Sequence, residues 1–501
     1  FEAMENYKLA PMLLEQGGID EDEHPHEIKT FNSLTGFGVV LNCIIGTGFF
    51  ALPYGFQRSG LPLAIGFTLF AAMFSVLGAI FTLETMSRAR GYEYAKERNI
   101  PHNSSMNKTT YKRYEMVIFA KTFGGLTGSI FVQIALVLYA FGALSAYISV
   151  FGSSLSNLIM RYIWQDPVDC VMEKDPSLNC QMMYSLCVFF FAVIVLILEI
   201  FELGNISFIQ MFFTGYRILA FALIIISCII SLAYNGSYWV HPYISPSEIV
   251  PTEAQTHWYS FAMSGFNSLF SGAAFALNCA YNLPNALQSL NISRKRNSKG
   301  IVMAAIITSG SIYIIIASLI ALTIGKDTLT FVILNWGRFG KHGFVPTGES
   351  GTVSEESWIS VIIKLIVMLN PMMNQISVFP IIASSVGFSL YSFVPIKVRQ
   401  ALGTHVATLL FRYMASILPF IFALFIPKLG TIVEFAGLFA IFLVAIVPSV
   451  FQYLSKRKLG SEWKTPFSGW WSNNFFVLID FIFGVVALIY LIYGFIRNRF
   501  K

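Results

Sequence analysis

Residues 37–60, FGVVLNCIIGTGFFALPYGFQRSG, form a long apolar run interrupted near its centre by Gly46-Thr47-Gly48, with Asn42 before the interruption and Pro53 after it. A buried helix whose only task is packing gains nothing from two glycines and a threonine at mid-membrane. Glycine there frees backbone N–H and C=O groups, which a bilayer tolerates only where they line a cavity or meet a ligand. A second run, Phe266–Leu290, has the same character: apolar residues, then Ser271-Gly272, then FALNCAYNLPNAL with Pro284. Small residues also serve as helix-packing devices, and for either run alone that plainer reading competes. The matched pair, in corresponding places of two chain halves, points to the substrate site of a secondary transporter.

The elements that must position these breaks are membrane helices. Of 501 residues, 55% are hydrophobic and only 12% charged, with a mean hydropathy of +0.65; soluble domains carry about 25% charged residues. The apolar blocks each have the length needed to cross about 30 Å of hydrocarbon. Eleven spans are expected, at 33–57, 60–86, 127–159, 183–202, 206–233, 261–290, 300–324, 358–386, 404–426, 429–454 and 474–496. The class is an all-α polytopic membrane protein with one transmembrane domain, 31–497. Residues 1–30, polar with an acidic cluster at Asp20–Glu23, read as a disordered cytosolic tail, and no cleavable signal sequence is expected ahead of the first span.

With the spans alternating, 20 of the 33 Lys and Arg residues fall on the side that holds the N-terminus and 10 on the other. That bias predicts a cytosolic N-terminus and, with an odd span count, a C-terminus outside or in a lumen. Asn235-Gly236-Ser237 is a glycosylation sequon in a loop placed outside. Cys170 and Cys180 share another such loop, where a disulfide can form; the other four cysteines sit in spans as small buried residues. The segment Tyr111–Phe123 mixes basic and apolar residues and reads as an interfacial amphipathic helix. No metal-ligand spacing, phosphate loop or nucleophile elbow occurs, so neither an enzyme nor a nucleic-acid binder is expected, and no structural metal or cofactor.

With this topology in hand, three motifs resemble the amino acid/auxin permease family of the amino acid–polyamine–organocation group. The first span, LNCIIGTGFFALPYGFQRSGLPLA, is similar to that family's pattern of Asn, then G-[ST]-G, then a Pro and a Gly opening the second span. The third, LYAFGALSAYISVFGSSLSNLI, resembles its aromatic-Gly…Tyr…Gly pattern at Phe141, Gly142, Tyr147 and Gly152. The sixth, FALNCAYNLPNALQSL, resembles its broken helix. Members often carry His at the position of Ala280 and Asp near Ser153, and the eighth span here lacks the usual Pro-Arg. The resemblance covers about residues 33–496. It implies a five-plus-five inverted repeat of the LeuT type, repeat one at 33–233 and repeat two at 261–454 with an extra helix at 474–496. It further implies alternating-access transport of amino acids, driven by a proton or sodium gradient.

A zwitterionic amino acid fits the two breaks. The half-helix beginning near Gly46, Thr47 and Gly48 presents free N–H groups and a positive dipole end to a carboxylate. Carbonyls around Ser271, Gly272 and Phe275 to Ala276, with Asn278 beyond, accept from an ammonium. Tyr139, Phe141 and Tyr147 are placed to line the pocket. By the resemblance, Asn42 contributes to a sodium site shared with Asn370, Asn374 and Ser377. Proton coupling instead requires an intramembrane ionisable group, for which Glu84, Glu434, Asp480 and the neighbourhood of Arg217 with Glu199 and Glu202 stand as candidates. A structural salt bridge from Arg217 to one of those glutamates is the simpler expectation. A membrane amino acid sensor with little flux is the alternative function. The partners are an amino acid and the lipid bilayer.

Overall fold

The computed structural model describes residues 32–46, 48–109, 114–164, 178–200, 207–235, 261–288, 290–344, 357–392, 394, 404–425 and 429–499. The tail read as disordered, Glu202 and Cys170 lie outside them.

The chain is helical nearly throughout. The first predicted span is two half-helices, α1 (Ser33–Ile44) and α2 (Gly48–Ser59), bent by 59° at their junction. Gly60, at φ 83°, turns the chain into α3 (Leu61–Glu97), which opens with a proline in its first turn, where a missing N–H costs nothing. Next come α4 (Met116–Tyr162), α5 (Leu178–Leu198) and α6 (Ser207–Asn235). Gly125 (φ 68°, ψ −164°) breaks α4 near its start. This sets residues 116–124 apart from the span, where an interfacial segment was expected.

The second half opens with α7 (Phe266–Ala276), then an unwound stretch and the single-turn α8 (Leu283–Ala286). It continues through α9 (Ser298–Ile324), α10 (Trp358–Ser392) and α11 (Thr404–Phe425). Helices α12 (Leu429–Ile441) and α13 (Val447–Leu459) run on through a π turn at Phe442–Ile446, and α14 (Asn474–Arg499) closes the chain. Among the described residues nine helices are long and apolar enough to cross a membrane, and the bent α1–α2 pair makes a tenth. The sixth expected span is the remaining one. It is not a continuous helix, because the chain unwinds between Ala276 and Leu283.

Two groups of helices form. One packs α1, α2, α3 and α6 around α9, with α7 lying on α2; the other packs α4, α5, α10 and α11 together, with α12 touching both α4 and α7. A hairpin of β1 (Phe339–Gly340) and β2 (Gly343–Phe344) follows a 3-10 stretch at Val332–Arg338 and rests on α6, where Trp336 Nε1 donates to Ser227 Oγ at 3.0 Å. Phe331, just before that stretch, packs edge-on against Phe50 of α2.

Candidate functional site

At the first break the helical ladder of α1 ends with the Ile45 N–H donating to the Leu41 carbonyl. The Gly46 N–H then turns back to the Ile44 carbonyl at 2.8 Å. Thr47 lies outside the described residues. Helix α2 starts at Gly48, and the first N–H groups of a helix have no acceptor within it. Gly46 faces Tyr147 of α4: a β-carbon added there would stand 3.1 Å from the phenol oxygen. Gly48 faces elsewhere. Its β-carbon would fall 2.5 Å from the α-carbon of Ala276, so this glycine lets the start of α2 lie directly on the end of α7. The two breaks are therefore in contact.

The second break lies later than expected. Ser271 and Gly272 sit inside α7 rather than at an opening, because the helix continues to Ala276. The Ser271 hydroxyl bonds back to the Asn267 and Ser268 carbonyls, while Gly272 faces Leu52 of α2. Neither presents a free carbonyl to a ligand. The backbone unwinds at Leu277-Asn278-Cys279, and its orphaned carbonyls meet side chains from neighbouring helices. Ser75 Oγ of α3 donates to the Leu277 carbonyl at 2.7 Å. Tyr313 Oη of α9 lies 2.9 Å from the Ile44 carbonyl and 3.5 Å from that of Ala276. One hydroxyl thus touches the last carbonyl of each broken helix.

Around this junction stand aromatic side chains and one buried amide. Tyr139 packs against Phe275 and Tyr281, and Tyr147 stands over Gly46. Asn278, only 3% exposed, lies beside Tyr139. Phe141 faces away, against Phe422 and Phe435.

Residues 29–497 match the family model described as transmembrane amino acid transporter protein. The chain belongs to this family. The transmembrane protein 104 homolog of Caenorhabditis elegans is 27% identical over 269 residues, 52% of this chain and 51% of the relative, so that match spans about half of the relative's length. The homolog from Drosophila melanogaster is 22% identical over 519 residues, 92% of this chain and 96% of its own. Among solved structures, MhsT in complex with L-phenylalanine is similar with a TM-score of 0.58 at 13% identity, covering 92% of this chain and 99% of that one. An Eremococcus coleocola manganese transporter gives 0.55 at 10% identity over 93% and 87%. The fold is the LeuT-type inverted repeat.

In this transporter-family chain, Arg217 of α6 stands among the residues expected to hold sodium. It donates from one terminal nitrogen to Asn42 Oδ1 at 2.8 Å and from the other to Asn374 Oδ1. The Asn42 amide donates to Thr214 Oγ1 at 2.7 Å, and Ser377 Oγ bonds to the Asn374 carbonyl. Asn370 Oδ1 is buried without a partner. The expected salt bridge from Arg217 to Glu199 is not made: Glu199 accepts from Ser416 Oγ instead, and its backbone carbonyl from Arg412.

The remaining candidates are dispersed. Glu84 is fully buried and paired with Arg88 at 2.5 Å. Asp480, equally buried, accepts from Ser449 Oγ at 2.7 Å, and Glu434 is half-buried on α12. Cys180 is buried against Met160 and Met183. The Asn235 amide of the sequon donates to the Phe344 carbonyl at 3.2 Å, its Gly236 and Ser237 lying outside the described residues. Two contributors escaped the sequence reading. Tyr313 had a signal, as the lone tyrosine in the apolar run of α9. Ser75 had none, since serine is frequent in these spans.

Proposed function

We propose that this protein is a secondary transporter that carries an amino acid across a membrane by alternating access, binding it where the two broken helices meet. The juxtaposition of the breaks carries this reading: Gly48 lies on Ala276, Tyr313 touches both terminal carbonyls, and the buried Asn278 amide follows two residues after Ala276. The start of α2 offers N–H donors and a positive dipole end to a carboxylate. Carbonyls at the end of α7 accept from an ammonium, and Tyr139, Phe275 and Tyr281 surround the side chain. A zwitterion is then bound without an ionised side chain at each end, which the low-dielectric interior would penalise. The same reading puts the N-terminus in the cytosol, on the basic side. The solved relative MhsT holds L-phenylalanine, which supports an amino acid as the substrate class here.

The test is uptake of radiolabelled amino acids into liposomes holding the purified protein, with an imposed proton gradient and without one. Accumulation of one amino acid class above protein-free liposomes is the expected result. Binding without flux under any gradient would replace the carrier with a sensor, and neither binding nor uptake would overturn the substrate class.

A further inference from the structure

The α1–α6–α10 junction holds a buried charge whose partners are neutral. Arg217 is 4% exposed; its two terminal nitrogens reach the side-chain oxygens of Asn42 and Asn374, and its Nε has no partner. Among the described residues no carboxylate pairs with it. A guanidinium stays protonated in proteins, so amide partners leave a full positive charge in place. A structural arginine would be expected to sit on a carboxylate, since a buried charge is stable only when well compensated. What does compensate here is oxygen: two amide carbonyls, one of them on Asn42 in the last turn of α1, where the negative dipole end of the half-helix lies.

Hard oxygens from one broken helix and one partner helix, next to a half-helix C-terminus, form the arrangement in which transporters of this architecture bind a coupling cation. In this chain the oxygens are already taken. Asn42 and Asn374 accept from Arg217, and the Ser377 hydroxyl is turned onto its own helix. A sodium ion entering here would lose two oxygens and face a fixed positive charge at contact distance, where like charges repel strongly. Resting on the transporter reading above, we infer that Arg217 is a resident cation standing in the place of a coupling sodium ion, so that this carrier works without sodium. The guanidinium also ties α1 to α10, so movement of α1 requires those two hydrogen bonds to part.

The experiment compares sodium chloride with choline chloride on full-length protein, by thermal melting in detergent and by initial uptake rate in liposomes. Wild type melts identically in the two salts, and its uptake changes by less than about twofold, well short of the tenfold step that 1.4 kcal/mol represents. Arg217→Ala, which frees Asn42 and Asn374, melts lower in choline and is raised by sodium. Arg217→Lys keeps the charge with a single ammonium; it also melts lower and stays indifferent to sodium, which preserves the test should the alanine variant not fold. A sodium-dependent melt or a tenfold sodium stimulation in wild type overturns the inference, as does an Arg217→Ala protein that melts like wild type. The melting arm needs no substrate, so failure of every amino acid to be taken up would strike the transport reading and leave this result standing.

Discussion

The hydroxyl of Tyr313 reaches the terminal carbonyls of both broken helices, Ile44 at 2.9 Å and Ala276 at 3.5 Å. Removing one buried hydrogen-bond partner costs about 1–3 kcal/mol through the group left unpaired. Here the Ile44 carbonyl keeps the Gly46 N–H, so the fold survives. Tyr313→Phe is therefore expected to be made at wild-type yield yet bind substrate about tenfold more weakly, measured by equilibrium binding of labelled amino acid. Unchanged affinity would mean that Tyr313 only packs. Glycine identity was legible at this scale, its purpose less so. Gly46 and Gly48 stand two residues apart, but one opens toward Tyr147 and the other seats α2 on α7; which glycine does which depends on the helix beside it. Arg217 was visible as a charge mid-span, but its partners are set by how α1 and α10 converge on α6.

Helices are held in register by a second polar cluster, remote from the breaks. Glu84 and Arg88, one turn apart on α3, form an ion pair with both side chains fully buried. Arg88 also donates to Gln452 and Ser455 of α13 and to the Trp463 carbonyl, while Glu84 accepts from Gln452 and from Ser472, just before α14. Each terminal group of the pair has a partner, and such a network rigidifies what it joins. It makes α3, α13 and the approach to α14 one unit. Glu84 was a candidate for proton coupling as an ionisable residue at the inner end of a span; its full set of bonds makes a structural tie the better account. Deleting one member of a buried pair costs about 3–5 kcal/mol because the survivor stays charged and unpaired. Arg88→Ala should then fall sharply in melting temperature and yield, whereas Glu84→Gln, which leaves an amide able to bond Gln452 and Ser472, should fall less. A Glu84→Gln loss as large as that of Arg88→Ala in a melting experiment would instead assign the stabilisation to the charge of the pair and not to its hydrogen bonds.

Across the whole molecule, span count and order were legible because about twenty apolar residues in a row admit few other fates. Long spans such as α9 and α11 lie close to where hydropathy puts them. The sixth span was legible as broken but misplaced within itself. Ser271-Gly272 looked like the opening, yet a helix tolerates small residues where a neighbour comes close, and Leu52 does so. The true opening at Leu277-Asn278-Cys279 depends on Ser75 and Tyr313 arriving from other helices to satisfy its carbonyls and that of Ala276, which no local pattern announces. The inverted repeat brings these distant residues together at one point, and the account stands on that point being the substrate site. The most direct test is equilibrium binding of the transported amino acid to wild type and to Gly46→Val. A β-carbon at position 46 would already press on the Tyr147 hydroxyl at 3.1 Å, so the branched side chain should displace that phenol and weaken binding by about a hundredfold while the protein is still made and folded. Wild-type affinity in a folded Gly46→Val protein would place the substrate somewhere other than the meeting of the two breaks.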